Sequence, residues 1–261
     1  MRPGDVDQAR YDRSSRIGWL DIDAISSARV LVVGAGALGN EVVKDLVLSG
    51  FEHLTVVDMD HIVGSNLNRC VLFRDEDAEA SSSKATVVAD RAIRMVPGCH
   101  VEPIVSRVQD IGRDWSRYDV VMGCLDNVQA RLHVNATAYA SNVPLIDGGT
   151  DGMRGRVQVV TPPGPCLQCT MNRSHMRVME HRYSCTGNDV VFFQPRMAAE
   201  ITTTSAIAAI QSREALKLVC GRDDMVIRDV MFYDGDRCSM DVLECQVSPD
   251  CPNHATCSRP G

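Results

Sequence analysis

The stretch RVLVVGAGALG, residues 29–39, decides the fold. Its first five residues form a mostly β-branched run, which is typical of a buried strand. Gly34, Gly36 and Gly39 follow in the spacing G-x-G-x-x-G, and Glu41–Ser49 carries apolar residues at helical spacing. A strand, a tight glycine turn and a helix in this order predict the start of a nucleotide-binding βαβ unit.

Each glycine has its own physical role in that turn. Gly34 permits the tight turn, Gly36 lets the backbone approach a phosphate, and Gly39 lets the helix pack against the strand. A second strand, Leu54–Val57, ends at Asp58, where a carboxylate can bind ribose hydroxyls. These features alone indicate an adenine nucleotide, and they leave a nicotinamide-dependent oxidoreductase open.

Strands and helices alternate outward from this unit. The patterns predict, in chain order, helix Lys84–Val96, strand Val101–Ser106, strand Val120–Cys124, helix Arg131–Tyr139, a strand from Leu145, strand Val157–Thr161, helix Ala198–Val219 and strand Val226–Tyr233. Met171–Asn188 is interpreted as a loop or crossover, and the tail from Pro249 as irregular. The alternation predicts an α/β fold: a Rossmann-like, doubly wound, mostly parallel sheet with helices on both faces.

Composition excludes several classes of function. The net charge of −7 argues against a nucleic-acid surface. No apolar run reaches the roughly 20 residues of a membrane span, and the polar start of the chain does not resemble a signal peptide. The expected location is therefore cytoplasmic, with no membrane partner.

Polar residues at the predicted strand ends favour a triphosphate over a dinucleotide. Asn66, Asn68 and Arg69 follow the second strand, Lys84 opens the next helix, and Asp126 follows a later strand. Hydride transfer does not need this set. Breaking a triphosphate does, because Lys and Arg neutralise phosphate charge and an Asp can hold Mg²⁺.

Eleven cysteines without a secretion signal favour metal or thiol chemistry over disulfides. Cys166 and Cys169 form a C-x-x-C pair after a Pro-Gly turn, a spacing at which two thiolates can share one Zn²⁺. A redox pair is the rival interpretation, although the βαβ context of a thioredoxin-like motif is missing. Of Cys70, Cys99, Cys124 and Cys220, most are expected to be small buried apolar residues.

The ordered motifs closely resemble the adenylation domain of the ubiquitin-activating enzyme superfamily, of the ThiF, MoeB and HesA type. That superfamily includes the adenylyltransferases of molybdopterin and thiamine biosynthesis. The matching stretches are Arg10–Arg13, Gly34–Gly39, Val57–Asp60, Ser65–Arg69, Lys84-Ala85, Leu125–Asn127, Pro144–Thr150 and Cys166–Cys169. The chain looks most like a minimal, prokaryotic activating enzyme for a ubiquitin-like protein. Cys70 departs from the family pattern, which has Gln there.

The resemblance implies roles for these residues. ATP would be held by Gly34, Gly36, Gly39, Asp58, Asp60, Asn66, Asn68, Arg69 and Lys84, and Asp126 would coordinate Mg²⁺. Arg13 is similar to the arginine that reaches the phosphates from a second subunit, which implies a homodimer with two sites. The implied organisation is an N-terminal helical segment, 1–27, and an adenylation domain, 28–261, in which the nucleotide-binding half is 28–150.

Cysteine roles also follow from the resemblance. A crossover, 166–195, would carry Cys185 at the position of the family's catalytic cysteine, although an ordinary loop cysteine is the alternative. A tail, 238–261, would complete a structural Zn²⁺ site, with Cys251 and His254 joining Cys166 and Cys169. Cys257 is the competing fourth ligand.

The expected reaction is ATP-dependent adenylation of the C-terminal glycine carboxylate of a ubiquitin-like protein. A thioester on Cys185 and transfer to a conjugating enzyme would follow. The main alternative is an adenylyltransferase for a sulfur-carrier protein. A NAD-dependent oxidoreductase and a scaffold that binds the carrier without turnover remain further alternatives.

Overall fold

One eight-stranded sheet organises residues 9–170 and 198–255, which the computed structural model describes. Its strand order is β3-β2-β1-β4-β5-β6-β7-β8. The strands are β1 Arg29–Val33, β2 His53–Val57, β3 His100–Ile104, β4 Val120–Gly123, β5 Leu145–Asp151, β6 Arg154–Val160, β7 Val230–Asp234 and β8 Ser239–Leu243. Strands β1 to β5 pair in parallel, whereas β6, β7 and β8 extend the sheet by antiparallel pairing.

Helices cover both faces of the sheet. In chain order they are α1 Ile22–Ser27, α2 Ala37–Ser49, α3 Asp75–Glu79, α4 Lys84–Met95, α5 Val128–Ala140, α6 Ile201–Val219 and α7 Pro252–Ala255. One apolar core lies between the sheet and helices α2, α4 and α6, and a second lies between the sheet and α5. The predicted Rossmann-like fold class is therefore confirmed.

Strand β1 shows why its sequence reads as one continuous apolar run. Val30 and Val32 enter the first core, while Leu31 and Val33 enter the second. A central parallel strand is buried on both faces, so it lacks the polar alternation of a half-exposed strand. The glycine turn follows at its carboxyl end, between the two neighbours β2 and β4.

Strand β5 begins at Leu145, as predicted, and continues through Asp147, Gly148 and Gly149 to Asp151. A Cβ on Gly148 would collide with the side chain of Gln211, and one on Gly149 would lie 2.7 Å from Nη2 of Arg131. These glycines therefore permit close packing rather than a turn.

Strand β8 was not predicted, and it forms a hairpin with β7. The predicted loop at 171–188 lies outside the described residues. None of the helices that the structure describes is long and apolar enough to cross a membrane.

Candidate active site and metal centre

The glycine turn is shaped by two close contacts and one open position. Gly34 has φ of +99°, and a Cβ there would lie 2.5 Å from the carbonyl oxygen of Cys124. A Cβ on Gly39 would collide with the carbonyl oxygen of Gly34, because helix α2 packs directly on the turn. At Gly36, by contrast, a Cβ would meet no heavy atom of the described residues within 4 Å. The turn is therefore tight inside and open outside, as a phosphate-binding loop requires.

Asp58 ties the end of β2 to this turn. Its Oδ2 accepts a hydrogen bond from the Ala35 N–H at 2.7 Å, and its Oδ1 accepts one from the Asp60 N–H at 2.8 Å. Partial burial raises the pKa of the Asp58 carboxyl, and the two backbone hydrogen bonds oppose that rise. The carboxylate is thus fixed beside the glycine turn.

Two cationic side chains lie at the same edge of the sheet. The Nζ of Lys84 contacts Oδ2 of Asp60 at 2.8 Å, and the Lys84 side chain is only 12% exposed. The Nη1 of Arg69 donates to the Ser65 carbonyl at 2.6 Å and to Oδ1 of Asn68 at 2.9 Å. The structure therefore holds both cations in defined positions near the carboxyl ends of β1 and β2.

Asn66 shapes the turn that presents Arg69. Its Oδ1 accepts the Val63 N–H at 3.1 Å, and its carbonyl oxygen accepts the N–H groups of Arg69 and Cys70. Asn66 and Asn68 therefore organise this segment locally, and that geometry is compatible with their predicted place in the nucleotide site.

Asp126 is exposed on the loop between β4 and α5, and the next residue, Asn127, caps α5 by accepting the N–H groups of Gln129 and Ala130. Among the described residues, no hydrogen bond or ion pair joins Asp126 to Lys84 or Arg69. Its place after β4, the neighbour of β1, nevertheless puts it at the same edge of the sheet.

Arg13 lies at the other end of α2 from the glycine turn. Two residues before it, the Tyr11 hydroxyl donates to the Val47 carbonyl at 3.5 Å, and the Tyr11 ring packs against Gly50. Helix α2 has 13 residues, which corresponds to a length of about 20 Å. The Tyr11 contacts thus place the segment that leads to Arg13 at the end of α2 opposite the glycine turn.

The sequence analysis does not predict one buried ionic group. Asp147, at the end of the parallel strands, accepts two hydrogen bonds from Arg131, at 3.1 and 2.5 Å, and lies 3.4 Å from Nη2 of Arg156. Burial, together with the nearby charge of Arg131, lowers the pKa of Arg156. The sequence signal was a carboxylate placed directly before the Gly148-Gly149 pair, where the tight packing was not foreseen.

A second constellation brings together the four predicted metal ligands. The candidate ligand atoms of Cys166, Cys169, Cys251 and His254 all lie within 4.8 Å of one another. The Sγ of Cys166 is 3.9 Å from that of Cys169 and 3.5 Å from that of Cys251, and the Sγ of Cys169 is 3.3 Å from Nε2 of His254. The edges of a tetrahedral Zn²⁺ site are about 3.5–3.8 Å, so the donor set fits.

Neighbouring side chains orient the His254 ring and lower the pKa of Cys166. The Tyr139 hydroxyl donates to the Gly164 carbonyl at 3.2 Å, so its oxygen accepts from Nδ1 of His254 at 3.0 Å and leaves Nε2 with its lone pair facing Cys169. Burial opposes ionisation of Cys166, but hydrogen bonds, including one from Nδ2 of Asn253 at 3.4 Å and one from the Cys169 backbone, outweigh it and lower the pKa of this thiol.

Comparison with known proteins gives these two groups a context. The ThiF family model matches residues 11–253. The chain belongs to the ThiF family. The predicted membership in the ubiquitin-activating superfamily is thereby confirmed. Cys185 and Cys257 lie outside the described residues of this ThiF-family chain.

Relatives of this ThiF-family chain include subunits of eukaryotic activating enzymes. It is 39% identical over 158 residues to the NEDD8-activating enzyme E1 catalytic subunit of Arabidopsis thaliana, covering 55% of this chain and 34% of the relative. For the same subunit of Dictyostelium discoideum the values are 38%, 159 residues, 55% and 36%. The chain therefore spans about a third of the length of these relatives.

Solved structures share the fold of this ThiF-family chain. The crystal structure of E. coli MccB with ATP superposes with a TM-score of 0.77 at 18% identity, covering 96% of this chain and 75% of MccB. MccB in complex with N-formylated MccA gives 0.76 at 18% identity, covering 94% and 75%. At this identity the likeness establishes the fold alone.

Proposed function

We propose that this chain adenylates the C-terminal glycine carboxylate of a ubiquitin-like protein. The observation that carries the proposal is the open glycine turn at Gly36, with Lys84 and Arg69 held at the same edge of the sheet. Membership in the ThiF family and likeness to activating-enzyme subunits support it. They also favour adenylation over the hydride transfer that the glycine motif alone left open.

The turn fits an adenine nucleotide in its shape and its donors. The start of α2 offers backbone N–H groups and the positive end of a helix dipole to phosphates. Asp58 lies where ribose hydroxyls would bind, and Asp60 holds Lys84, whose charge would neutralise the phosphates together with that of Arg69. Mg²⁺, when bound, would supply further neutralisation, and the exposed Asp126 is the proposed ligand.

The proposed chemistry has three transfers, which form the acyl-adenylate, the thioester on Cys185 and the thioester on the conjugating enzyme. An oxygen of the carrier's terminal carboxylate attacks the α-phosphorus of ATP, and the bond to pyrophosphate breaks. The Cys185 thiolate then attacks the acyl carbon, AMP leaves, and the acyl group passes as a thioester to a conjugating enzyme. The first step depends mainly on positioning and charge neutralisation, which the strand-end cations provide.

A homodimer is part of the proposal. Arg13 lies at the far end of α2, so it would act on the phosphates of a partner's site rather than on those of its own chain. The proposed organisation keeps the expected boundaries, with 1–27 carrying this arginine and 28–261 forming the adenylation domain. A cytoplasmic location stays a prediction.

The metal centre is proposed to hold a structural Zn²⁺. Cys166, Cys169, Cys251 and His254 would occupy all four tetrahedral positions, which leaves no open position for a substrate. Three thiols at these separations would repel one another as thiolates, and a divalent cation removes that repulsion.

The adenylation step is tested by pyrophosphate exchange. Labelled pyrophosphate should enter ATP only when the enzyme is given a ubiquitin-fold protein that ends in glycine, and a panel of such proteins is the probe. The same proteins with a C-terminal carboxamide are the matched control, because they lack the attacking oxygen. Exchange that is equally fast with the capped proteins would show that the carboxylate is not the substrate.

The thioester step is tested separately. Cys185→Ala should retain exchange but lose the adduct that a reducing agent releases from the enzyme, as seen by intact mass. Cys238→Ala is the control, because Cys238 is an exposed cysteine without a proposed role. An adduct that survives in Cys185→Ala would refute the assignment, and release of a carrier thiocarboxylate would indicate sulfur-carrier chemistry instead.

A further inference from the structure

We propose that Asn40 is a positioning residue that aims the peptide N–H groups of the glycine turn at the nucleotide phosphates and fixes the Arg69 segment against that turn. This inference rests on the proposed use of ATP. It concerns a side chain that would not touch the nucleotide, because Asn40 is fully buried in the first turn of α2.

The side chain of Asn40 uses both ends of its amide. Its Nδ2 donates to the carbonyl oxygens of Ala35 at 2.9 Å and of Gly36 at 3.0 Å. Its Oδ1 accepts the N–H of Leu72 at 3.0 Å. A primary amide has two N–H donors and one carbonyl oxygen, so the three contacts employ the whole group.

The contacts with Ala35 and Gly36 determine where the next N–H groups point. In a trans peptide the C=O and the following N–H point in opposite directions. With the Ala35 oxygen drawn inward to Asn40, the N–H of Gly36 points away from the buried side. The Gly36 oxygen, which also accepts the backbone N–H of Asn40 at 2.9 Å, does the same for the N–H of Ala37. These two donors leave the turn where Gly36 is open, which is where a phosphate can approach.

The contact with Leu72 fixes the second anion-binding element. Leu72 lies three residues after Arg69, in a segment whose turns are closed by the hydrogen bonds of Arg69 and Cys70 to Asn66 and of Phe73 to Cys70. The tie to Asn40 holds this segment against α2. The buried side-chain amide of Asn40 therefore fixes the N–H donors of the glycine turn and the guanidinium of Arg69 relative to one another.

A purely structural role would produce a different result from a positioning role. Asn40→Asp keeps the size and the acceptor for the Leu72 N–H but removes the amide donors, while Asn40→Ala removes both. Glu214→Ala is the matched control, since Glu214 is also buried and ties a backbone N–H, that of Ile227 at 2.9 Å, to a helix. It lies in the latter half of α6 and plays no part in the glycine turn.

The experiment is calorimetric titration of the full chain with the magnesium complex of the analogue AMPCPP, together with thermal unfolding. Both Asn40 variants should bind about tenfold more weakly or worse, since misdirected donors lose hydrogen bonds to a charged ligand. Glu214→Ala should lose thermal stability but bind within about twofold of the unaltered chain.

Hydrogen exchange adds a readout that does not depend on nucleotide. The Leu72 amide should stay protected in Asn40→Asp and become unprotected in Asn40→Ala. If Asn40→Asp does not fold, Asn40→Ser replaces it, because a hydroxyl keeps one donor in a smaller volume.

Two results would overturn the inference: Asn40 variants that bind like the unaltered chain, or a Glu214→Ala variant that loses as much affinity. If the unaltered chain itself bound no AMPCPP, the proposed function would fail and the inference with it, whereas normal binding by the variants alone would leave the proposed function intact.

Discussion

The glycine-turn edge and the Cys/His centre differ in how far their residues are open to solvent. At the edge, Gly36 faces open space and Asp126 is exposed. In the centre, Cys166 and Cys251 are buried and each candidate ligand atom faces another one. Catalytic sites keep a position open for substrate, whereas structural metal sites are closed. This contrast agrees with the proposal that the edge serves turnover and the centre serves stability.

Removing the metal should produce the largest effect. Elemental analysis is expected to find one Zn²⁺ per chain, and a strong chelator should lower the free energy of unfolding by several kcal/mol, roughly the scale on which metal binding is coupled to folding. Calorimetry measures the loss. Cys238→Ser is the control and should keep its metal. A chain that is metal-free after growth in zinc-replete medium, yet equally stable, would break the comparison.

Lys84→Met should affect turnover and leave the metal centre unchanged. Loss of a preorganised charge at developing phosphate charge costs about 10²–10³ in rate. Pyrophosphate exchange measures the effect, and Zn²⁺ content should stay constant. Lys44→Met serves as a control, because Lys44 pairs with Glu41 and Asp45 within α2 and has no proposed contact with the nucleotide. An equal loss of exchange in the two variants would contradict the role of Lys84.

Tyr139→Phe should weaken the metal centre by a smaller amount. The variant loses the hydroxyl that orients His254, and such partners change metal affinity by about 10–100-fold. Competition with a chromophoric chelator measures the affinity. Tyr233→Phe, on β7, is a tyrosine control away from the centre. Unchanged competition in Tyr139→Phe would show that His254 does not need this hydrogen bond.

Cys70 gives the smallest of the expected effects. It is a buried thiol close to the charged residues of the glycine-turn edge. Burial raises its pKa to about 11, above that of an ordinary thiol, so its thiolate is scarce at neutral pH and increases only as the pH approaches that value. Iodoacetamide should label it far more slowly than Cys238 at pH 8, with the difference shrinking above pH 10. Equal labelling of the two residues in the folded chain at pH 8 would contradict its burial.

Local patterns predicted the parallel half of the fold well. Strand β1 was predicted with the observed bounds, and the strand before Asp58 and the helix opened by Lys84 each differ by one residue. In this half, apolar runs and their helix partners follow one another closely along the chain. The physical signal is therefore contained within each βαβ unit.

The antiparallel half was harder to predict for identifiable reasons. The hairpin has a local signal, Asp234-Gly235 between two apolar runs, which the prediction of strand Val226–Tyr233 leaves unused, and the residue of the turn at φ of +51° is Cys238 rather than a glycine. Gly148 and Gly149 lie inside β5 because side chains from α5 and α6 approach them closely, and no local pattern predicts such a contact.

The candidate site residues also fall into two groups: those that the sequence predicted and those that only the structure shows. Motif spacing was enough to propose Asp58, Lys84 and the pair Cys166 and Cys169, whereas Cys251 and His254 were proposed from the family resemblance. Asn40 and Tyr139 act through partners that are distant in the sequence, Leu72 and His254. No local sequence pattern predicts such a hydrogen bond, so it can be seen only in the structure.

Helix α5 connects the glycine-turn edge to the Cys/His centre. It begins at the Asn127 cap beside Asp126 and, about 20 Å further on, its last turn meets His254 through Tyr139. If apolar packing replaced the proposed cation, it would have to hold the last turn of α5 in the same position, because a shift there would also move the loop that carries Asp126.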